Sequence, residues 1–366
     1  MSKARQLADN GAATPNRNMV INGAMNVSQR SVSETGIGAS TAVVYQTVDR
    51  IAVAPNTAGR LTMTQTADGP SGFANCMKLD CTTADTSIAT AEYLLLQHKI
   101  EGQNLQRLKK GTSDAEQFTI SFYVKGNASA TYALSLLDND NNRSVSKLFA
   151  VTTAWNRIEM TFPADTSGAF GDDNGAGLTL DFFLHGGATY TGGTLATAWA
   201  TTNNANRAVG ISSFFDATSR TFFMTGLQLE VGSSATPFEH KTFAGDLEDC
   251  QRYCQRLPAV DQADGGDFSN LGYGFADTTT TGQLAIPVVT TMRLEPTATF
   301  SGNWRFIHEN TATAISSGPT VTDAFSTAGI IGLAATVGST ALTLGSGLAL
   351  TQNDDVDANI IFDSEL

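Results

Sequence analysis

Apolar and polar residues alternate along much of the chain, which is the pattern of half-buried β-strands. Residues 118–124 carry apolar side chains at every second position, namely Phe118, Ile120, Phe122 and Val124. The same alternation recurs in four further segments, 132–136, 158–162, 178–184 and 223–231. Clusters of Gly, Asn and Asp separate these segments. The sequence between them has no helical pattern of useful length. The spacing predicts a mainly β protein whose first domain, residues 18–243, is an antiparallel β-sandwich rather than a set of βαβ units.

One segment, 244–257, has the period of an α-helix. Asp246 is its expected N-cap, and Pro258 ends it. Its apolar stripe consists of Leu247, Cys250, Cys254 and Leu257. A stripe of fewer than two heptads is too short to associate by itself. Two interpretations therefore stay open: the stripe packs on the preceding sandwich, or copies of this helix meet around the axis of a trimer.

The ends of the chain differ in their capacity to form a core. Strand patterns at 284–291, 297–307, 330–337 and 340–350 predict a second, smaller β-domain over residues 258–366. Residues 1–17 lack enough apolar side chains for a core of their own. We expect this segment to attach the protein to a larger assembly.

The net negative charge of the chain argues against two classes of binding partner. The chain has 22 Lys and Arg residues against 35 Asp and Glu residues, a formal net charge of −13. Binding to a nucleic-acid backbone or an anionic membrane depends on clustered basic side chains, so we expect neither. The sequence also lacks a run of about 18 apolar residues and an apolar signal-peptide segment. We therefore expect no membrane insertion, and either a cytosolic location or export without a signal peptide.

Motifs of common catalytic and metal sites are incomplete. The nucleophile motif G-x-S-x-G and the phosphate loop G-x-x-x-x-G-K-[ST] do not occur. The pair His308-Glu309 lacks the second His of a zinc protease, because Ala312 occupies its position. Asp138 begins an EF-hand-like series, but Arg143 stands where Gly is required. We therefore predict that the protein is not an enzyme; a catalytic carboxylate pair among the 35 acids is the alternative. We also predict no metal ligands. The cysteines Cys76, Cys81, Cys250 and Cys254 are expected to be buried, reduced thiols.

Aromatic residues near turns are the candidates for sugar contact, because the face of a pyranose ring stacks on Trp or Tyr. Four residues fall in or near loops, namely Trp155, Trp199, Tyr190 and Tyr273. The alternative for each of them is a structural role at an end of the sandwich.

A series of motifs resembles the tail fibre and receptor-binding proteins of tailed bacteriophages. The opening resemblance lies in NMVINGAM at 18–25, QR at 29–30 and YQTVDR at 45–50. The middle matches are QHKIEG at 97–102, FTISFYVK at 118–125 and WNR at 155–157. The most specific matches are TGLQLEVG at 225–232, ATPFEH at 235–240 and CQRY at 250–253. The chain closes with FDSEL at 362–366, similar to the ending of many such fibres.

The resemblance covers residues 18–256 well and the last hundred residues more loosely. It implies a jelly-roll sandwich of the carbohydrate-binding-module type, in which a structural Ca²⁺ is common. It also implies a homotrimer assembled in the host cytoplasm, attached through its N-terminus to tail or other virion proteins, that binds host surface glycan as an adhesin. A polysaccharide-depolymerising tailspike and a capsid-mounted or adaptor protein without receptor binding are the alternatives.

Overall fold

The structure is a computed structural model that describes residues 16–258, 271–309, 311–322, 326, 329–353, 355 and 357–366. The chain divides into two compact units, of which the first ends at Asp246 and also includes Leu366, and the second is Leu247–Glu365. The predicted division after residue 243 lies close to this boundary. Of the predicted attachment segment 1–17, residues 1–15 lie outside the described residues.

Two antiparallel sheets form the first unit. The first sheet contains, in spatial order, β1 (Ser33–Ile37), β3 (Arg60–Thr66), β4 (Cys76–Thr83), β12 (Thr221–Val231), β6 (Phe118–Gly126) and β9 (Asn156–Phe162). The second contains β11 (Ala200–Thr201), β8 (Arg143–Val151), β7 (Ala130–Asp138), β10 (Ala176–Gly186), β5 (Tyr93–Glu101) and β2 (Ala52–Asn56). The mainly β class and the antiparallel sandwich are confirmed.

The core lies between the two sheets and follows the predicted alternation, except at the start of β12, where Phe222 and Met224 rather than Phe223 face the core. Phe122 on β6 and Phe182 on β10 meet edge to face with ring centroids 5.2 Å apart. Both side chains are almost completely buried, as are Leu134 on β7 and Leu229 on β12. Because successive side chains of a strand point to opposite faces, the intervening polar residues lie on the outer faces of the sheets.

Short helical turns occupy the connections of the sandwich. They are the helix α1 (Ala188–Thr191) and the 3₁₀ turns Gly102–Asn104, Gln106–Leu108 and Asn204–Asn206. The chain between β10 and β12 contributes Tyr190 and Ala208 to a small apolar cluster with Phe183 and Leu95. That cluster covers part of the outer face of the second sheet.

The predicted helix is present but shorter than the sequence pattern indicated. Helix α2 spans Phe243–Gln251, and Thr242 caps it by accepting a hydrogen bond from the Gly245 N–H at 3.2 Å. The expected N-cap, Asp246, lies instead in the first turn. Cys254 and Leu257 are not helical, because the chain from Cys254 pairs with a distant strand near the C-terminus. The four-residue stripe therefore does not lie on one helix.

A closed barrel and a small sheet form the second unit. The barrel contains, in order, β14 (Gly272–Ala276), β15 (Thr281–Pro287), β19 (Ile330–Val337), β18 (Thr311–Val321), β17 (Trp304–His308) and β20 (Gly347–Gln352). The small sheet is formed by β13 (Cys254–Pro258), β21 (Asn359–Asp363) and β16 (Thr297–Ser301). The predicted strand 297–307 is divided by a turn at Gly302, which has a φ of +75°.

In the part of the chain that the structure describes, no helix combines the length and the apolar character that a bilayer crossing requires.

Candidate functional site

Two exposed aromatic side chains lie on β14, on the outer face of the barrel. Tyr273 is 63% exposed and Phe275 is 40% exposed. They are two positions apart on one strand, so both side chains point to the same face. Tyr273 lies between Ala285 and Ala349 on the neighbouring strands. The side chains directly across from Tyr273 on both neighbouring strands are therefore small.

The exposed pair has polar neighbours. Gln283 is the partner of Phe275 on β15, and Gly347 is its partner on β20. The Gln283 side chain also approaches Asp277, with 3.5 Å between Nε2 and Oδ2. The arrangement therefore combines aromatic surface with an amide and a carboxylate, which are the groups that recognise sugar hydroxyls.

A cleft of about 280 Å³ lies elsewhere in the second unit. Its lining includes Phe300 and Trp304, whose rings meet edge to face at 6.2 Å, together with Asn303 and Asn353. Trp304 is only 4% exposed, and its indole N–H donates to the Ser301 carbonyl at 2.9 Å. The Trp304 ring therefore forms an interior wall of the cleft and is less suited to stacking than the exposed rings of β14.

Trp155 lies in the turn between β8 and β9 and packs against the outer face of the first sheet. Its ring meets Phe223 edge to face at 6.2 Å, and the Lys125 ammonium group lies 5.1 Å from the ring centroid. The Trp155 side chain is half-buried, and its indole nitrogen is buried without a hydrogen-bond partner. Trp155 thus offers a partial aromatic surface beside a cation.

Trp199 and Tyr190 make structural contacts within the first unit. The Trp199 indole N–H donates to the Pro163 carbonyl at 2.9 Å, and its ring packs at the edge of the main core. Tyr190 is packed between Tyr93 and Phe183, at centroid distances of 5.3 and 5.5 Å. Burial raises the pKa of the Tyr190 hydroxyl. The aromatic surfaces of both residues are largely used inside the protein.

The four predicted aromatic residues therefore do not form one site. Trp155 packs against the outer face of the first sheet, and Trp199 and Tyr190 lie in connections of the sandwich. Tyr273 lies in the second unit. The partner of Tyr273 on the same strand, Phe275, was not among the predicted residues. The period of the strand 272–276 could have identified it, since Tyr273 and Phe275 are alternate residues.

The stripe predicted to face a trimer axis is partly buried within the single chain. Cys250 and Cys254 have no exposed surface, whereas Leu247 and Leu257 are half-buried. The two cysteines therefore cannot supply a surface for another copy. A trimer contact of Leu247 stays a prediction, and on the same helix Phe243 is 60% exposed.

All four cysteines are buried, as predicted. Burial raises the pKa of Cys76 and of Cys81 to about 11. Because the thiolate is the reactive form of cysteine, these two side chains are chemically inert at neutral pH.

Two carboxylates and a histidine converge at one end of the sandwich. Asp85 follows β4, Glu92 precedes β5, and His185 lies near the end of β10. Their potential ligand atoms all lie within 4.8 Å of one another. Burial opposes ionisation of Asp85, but hydrogen bonds from Thr57 and from the Ala58 N–H hold its pKa below the ordinary value. Burial lowers the pKa of His185 against the opposing effect of both carboxylates.

The sequence prediction of no metal ligands did not anticipate this group. Asp85 and Glu92 are close in sequence, but His185 is far from both of them. The three residues meet only because β5 and β10 are neighbours, with His185 opposite Leu94. The local spacing of residues in the sequence does not indicate that β5 and β10 pair.

Comparison with known proteins gives similarities at the level of solved structures. No family model matches the chain, and no curated protein matches it. One similar structure is a family 4 carbohydrate-binding module, with 11% identity over 58% of this chain and 99% of that chain and a TM-score of 0.30. A second is the family 11 carbohydrate-binding module of a cellulosomal cellulase of Clostridium thermocellum, with 11% identity over 55% of this chain and 100% of that chain and a TM-score of 0.27.

A third similar structure is a family 61 carbohydrate-binding module in complex with β-1,4-galactotriose. Its identity is 10%, over 59% of this chain and 100% of that chain, and the TM-score is 0.28. Since the identities and TM-scores are low, the assignment of a β-sandwich rests on the strand pairings themselves.

Proposed function

We propose that this protein is a glycan-binding adhesin without catalytic activity and that the exposed face of β14 is a contact surface for sugar. The observation that carries the proposal is the pair Tyr273 and Phe275, two exposed aromatic side chains on one strand face. A pyranose ring presents C–H groups that pack on an aromatic ring, while its hydroxyl groups need hydrogen-bonding partners nearby. The exposed Asp277 carboxylate supplies such a partner, whereas Oε1 of the neighbouring Gln283 is buried.

The biological setting is the finer part of the proposal. We propose a homotrimeric fibre of a tailed bacteriophage, located on the virion and directed to a glycan of the host surface. The motifs at 225–232 and 235–240 support this setting through their resemblance to phage fibres. Three weak sites on one fibre, and several fibres on one particle, would convert modest affinity into stable attachment through multivalency.

The carboxylate pair Asp85 and Glu92 does not have the properties of a depolymerase site. Glycosidases place two carboxyl groups about 5–10 Å apart on either side of an accessible bond, with one of them held protonated as the acid. Asp85 and Glu92 approach each other, but the Asp85 side chain is only 3% exposed and has a lowered pKa. A polysaccharide chain cannot reach between these two groups.

Binding measurements on single-ring variants test the proposal. We expect Tyr273→Ala and Phe275→Ala each to weaken binding of host surface polysaccharide about 10-fold, which corresponds to about 1.4 kcal/mol for a stacked ring. Tyr273→Phe keeps the ring and should retain most of the affinity. Leu344→Ala is the matched control, because Leu344 is an exposed apolar residue of the same unit at 68% exposure.

The measurement is biolayer interferometry against polysaccharide purified from host cells, with the reducing ends in the solution assayed in parallel. Equal affinity of the wild type and both alanine variants would remove β14 from the contact surface. New reducing ends would favour the depolymerase, and absence of binding by the wild type would favour an adaptor protein.

A further inference from the structure

The imidazole of His185 lies at the centre of an unusual polar group in the first unit. Its Nε2 atom is 4.0 Å from Asp85 Oδ2 and 3.9 Å from Glu92 Oε2. These separations exceed a hydrogen bond. His185 has no exposed surface, and Nε2 is buried without a hydrogen-bond partner. A buried polar atom without a partner destabilises the fold by about 1–3 kcal/mol, so the arrangement needs a physical reason.

The other ring nitrogen of His185 is fully engaged. Nδ1 lies 2.8 Å from the Ser213 hydroxyl oxygen, and that oxygen also accepts a hydrogen bond from the Phe215 N–H at 3.0 Å. The Phe215 ring packs edge to face on the imidazole at 5.4 Å. These contacts fix the orientation of the ring and direct Nε2 toward the two carboxylates. A histidine that binds a metal through one nitrogen is normally held through the other in this way.

Both carboxylates are also held in place. Asp85 Oδ2 accepts hydrogen bonds from Thr57 Oγ1 at 2.8 Å and from the Ala58 N–H at 3.0 Å, and Glu92 Oε2 accepts from the Ala89 N–H at 2.6 Å. Among the described residues, neither carboxylate has a Lys or Arg partner within 4 Å. Two carboxylates and the imidazole Nε2 atom thus converge on one small space. A divalent cation there would balance both charges and bind Nε2.

From this geometry we infer that Asp85, Glu92 and His185 form a binding site for a divalent transition-metal ion of the zinc class. One imidazole and two carboxylates form a donor set that suits zinc, whereas calcium prefers oxygen ligands throughout. Zinc binds these donors at about 2.0–2.2 Å, so the three side chains need to draw together by only about 1 Å. Water would complete the coordination.

The site would have a structural role. Asp85 and Glu92 are at the two ends of the connection between β4 and β5, and His185 is near the end of β10. The metal ion would therefore fasten that connection to the second sheet. Binding of an ion to the folded chain, but not to the unfolded one, raises the melting temperature.

Metal titration of the full chain tests the inference. The protein is stripped with EDTA, gel-filtered and titrated with ZnCl₂ alone, and the bound metal is measured by mass spectrometry with inductively coupled plasma. We expect one Zn²⁺ per chain, a higher melting temperature with Zn²⁺, and a visible spectrum of nitrogen-coordinated Co²⁺ after substitution. No bound Zn²⁺ at micromolar concentration, or displacement of Zn²⁺ by equimolar Ca²⁺, would overturn the assignment.

Variants locate the ion. His185→Gln and Glu92→Gln should each weaken Zn²⁺ binding at least 100-fold, and Ser213→Ala should weaken it about 10-fold through the lost orientation of the ring. His308→Gln and Glu116→Gln are matched controls, because they remove another buried histidine and an exposed acid. If His185→Gln does not fold, Zn²⁺ binding by Glu92→Gln tests the site instead. The Glu92 side chain is 15% exposed, so its substitution disturbs the fold less. Unchanged Zn²⁺ binding in a folded Glu92→Gln protein would contradict the site.

Discussion

One cluster of buried charge in the first unit is organised around the ammonium group of Lys110. The Lys110 side chain is only 4% exposed, and its Nζ lies 2.5 Å from Asp138 Oδ2 and 3.1 Å from Asp165 Oδ2. Burial opposes ionisation of Asp165, but the Arg143 guanidinium and the lysine hold its pKa below the ordinary value. Asp138, which begins the EF-hand-like series in the sequence, therefore binds a lysine rather than occupying a calcium loop.

Removal of this lysine should be strongly destabilising. We expect Lys110→Met to lower the free energy of unfolding by about 3–5 kcal/mol, because it leaves the fully buried Asp138 carboxylate without its cation. The neighbouring Lys109 provides the control, since its side chain is 53% exposed and pairs with the exposed Glu116. Lys109→Met should change the free energy of unfolding far less than Lys110→Met, because solvent screens an exposed ion pair. Urea denaturation followed by circular dichroism measures both, and equal losses would contradict the role of Lys110.

At the scale of single elements, strand β12 depends on a bulge at a glycine. The register of β12 against β6 shifts between Thr225 and Gln228. Gly226, inside this shift, has a φ of +66°, and a Cβ there would lie 2.8 Å from the Phe73 ring and 2.9 Å from the Tyr123 ring. The bulge allows apolar residues on both sides of it to point into the core, which unbroken alternation would not.

The bulge can be tested with a pair of alanine variants. Gly226→Ala should lower the free energy of unfolding by about 2–4 kcal/mol, because it combines the left-handed backbone with contact against two aromatic rings. Gly36→Ala isolates the backbone effect, since Gly36 has a φ of +75° and a Cβ there would meet nothing within 4 Å. Gly36→Ala should lower the free energy of unfolding by about 1–2 kcal/mol. If thermal and urea unfolding give the same loss for the two variants, crowding at the bulge is not important.

Strands with one buried face could be predicted from the sequence because their residues alternate. β6 and β10 are in this group, and the segments 118–124 and 178–184 fall inside them. The C-terminal end of α2 could not be predicted, because Cys254–Pro258 becomes a strand only through pairing with Asn359–Asp363. A local period contains no information about a partner a hundred residues away, so it continued the helix to residue 257.

The same distinction separates the two candidate sites. Tyr273 could be identified from residue type and a turn-rich context, both of which are local properties of the sequence. The convergence of Asp85, Glu92 and His185 depends on the pairing of β10 with β5 and on the hydrogen bond to Ser213. Tertiary contacts create the metal-binding geometry, so the isolated residues appear ordinary in the sequence.

At the scale of the whole molecule, the exposed residues of α2 bear on the predicted trimer. Phe243 and Leu247 are four positions apart on the helix and therefore lie on one face. Phe243 is 60% exposed, and Leu247 is half-buried. Since Cys250 is buried within the chain, Leu247 is the residue of the predicted stripe on this helix that another copy could cover, and Phe243 extends that surface. A chain charge of −13 gives 3 × (−13) = −39 for a trimer, so the copies repel one another at low salt.

Oligomeric state is the measurement that connects this face with multivalent attachment. We expect the wild type to have three times the 38.5 kDa chain mass by size-exclusion chromatography with light scattering, and to dissociate more readily at low salt because the repulsion is then less screened. Phe243→Asp and Leu247→Asp should each favour the monomer, because they place a charge in an apolar contact that repeats around the axis. Val289→Asp is the control, since Val289 is a 73% exposed apolar residue outside α2. A monomeric wild type at micromolar concentration, or trimers that persist in both helix variants, would show that α2 does not hold the copies together.

Loss of the trimer should also reduce capture of host cells far more than it reduces the affinity of a single site for free glycan, because avidity depends on simultaneous engagement of several sites.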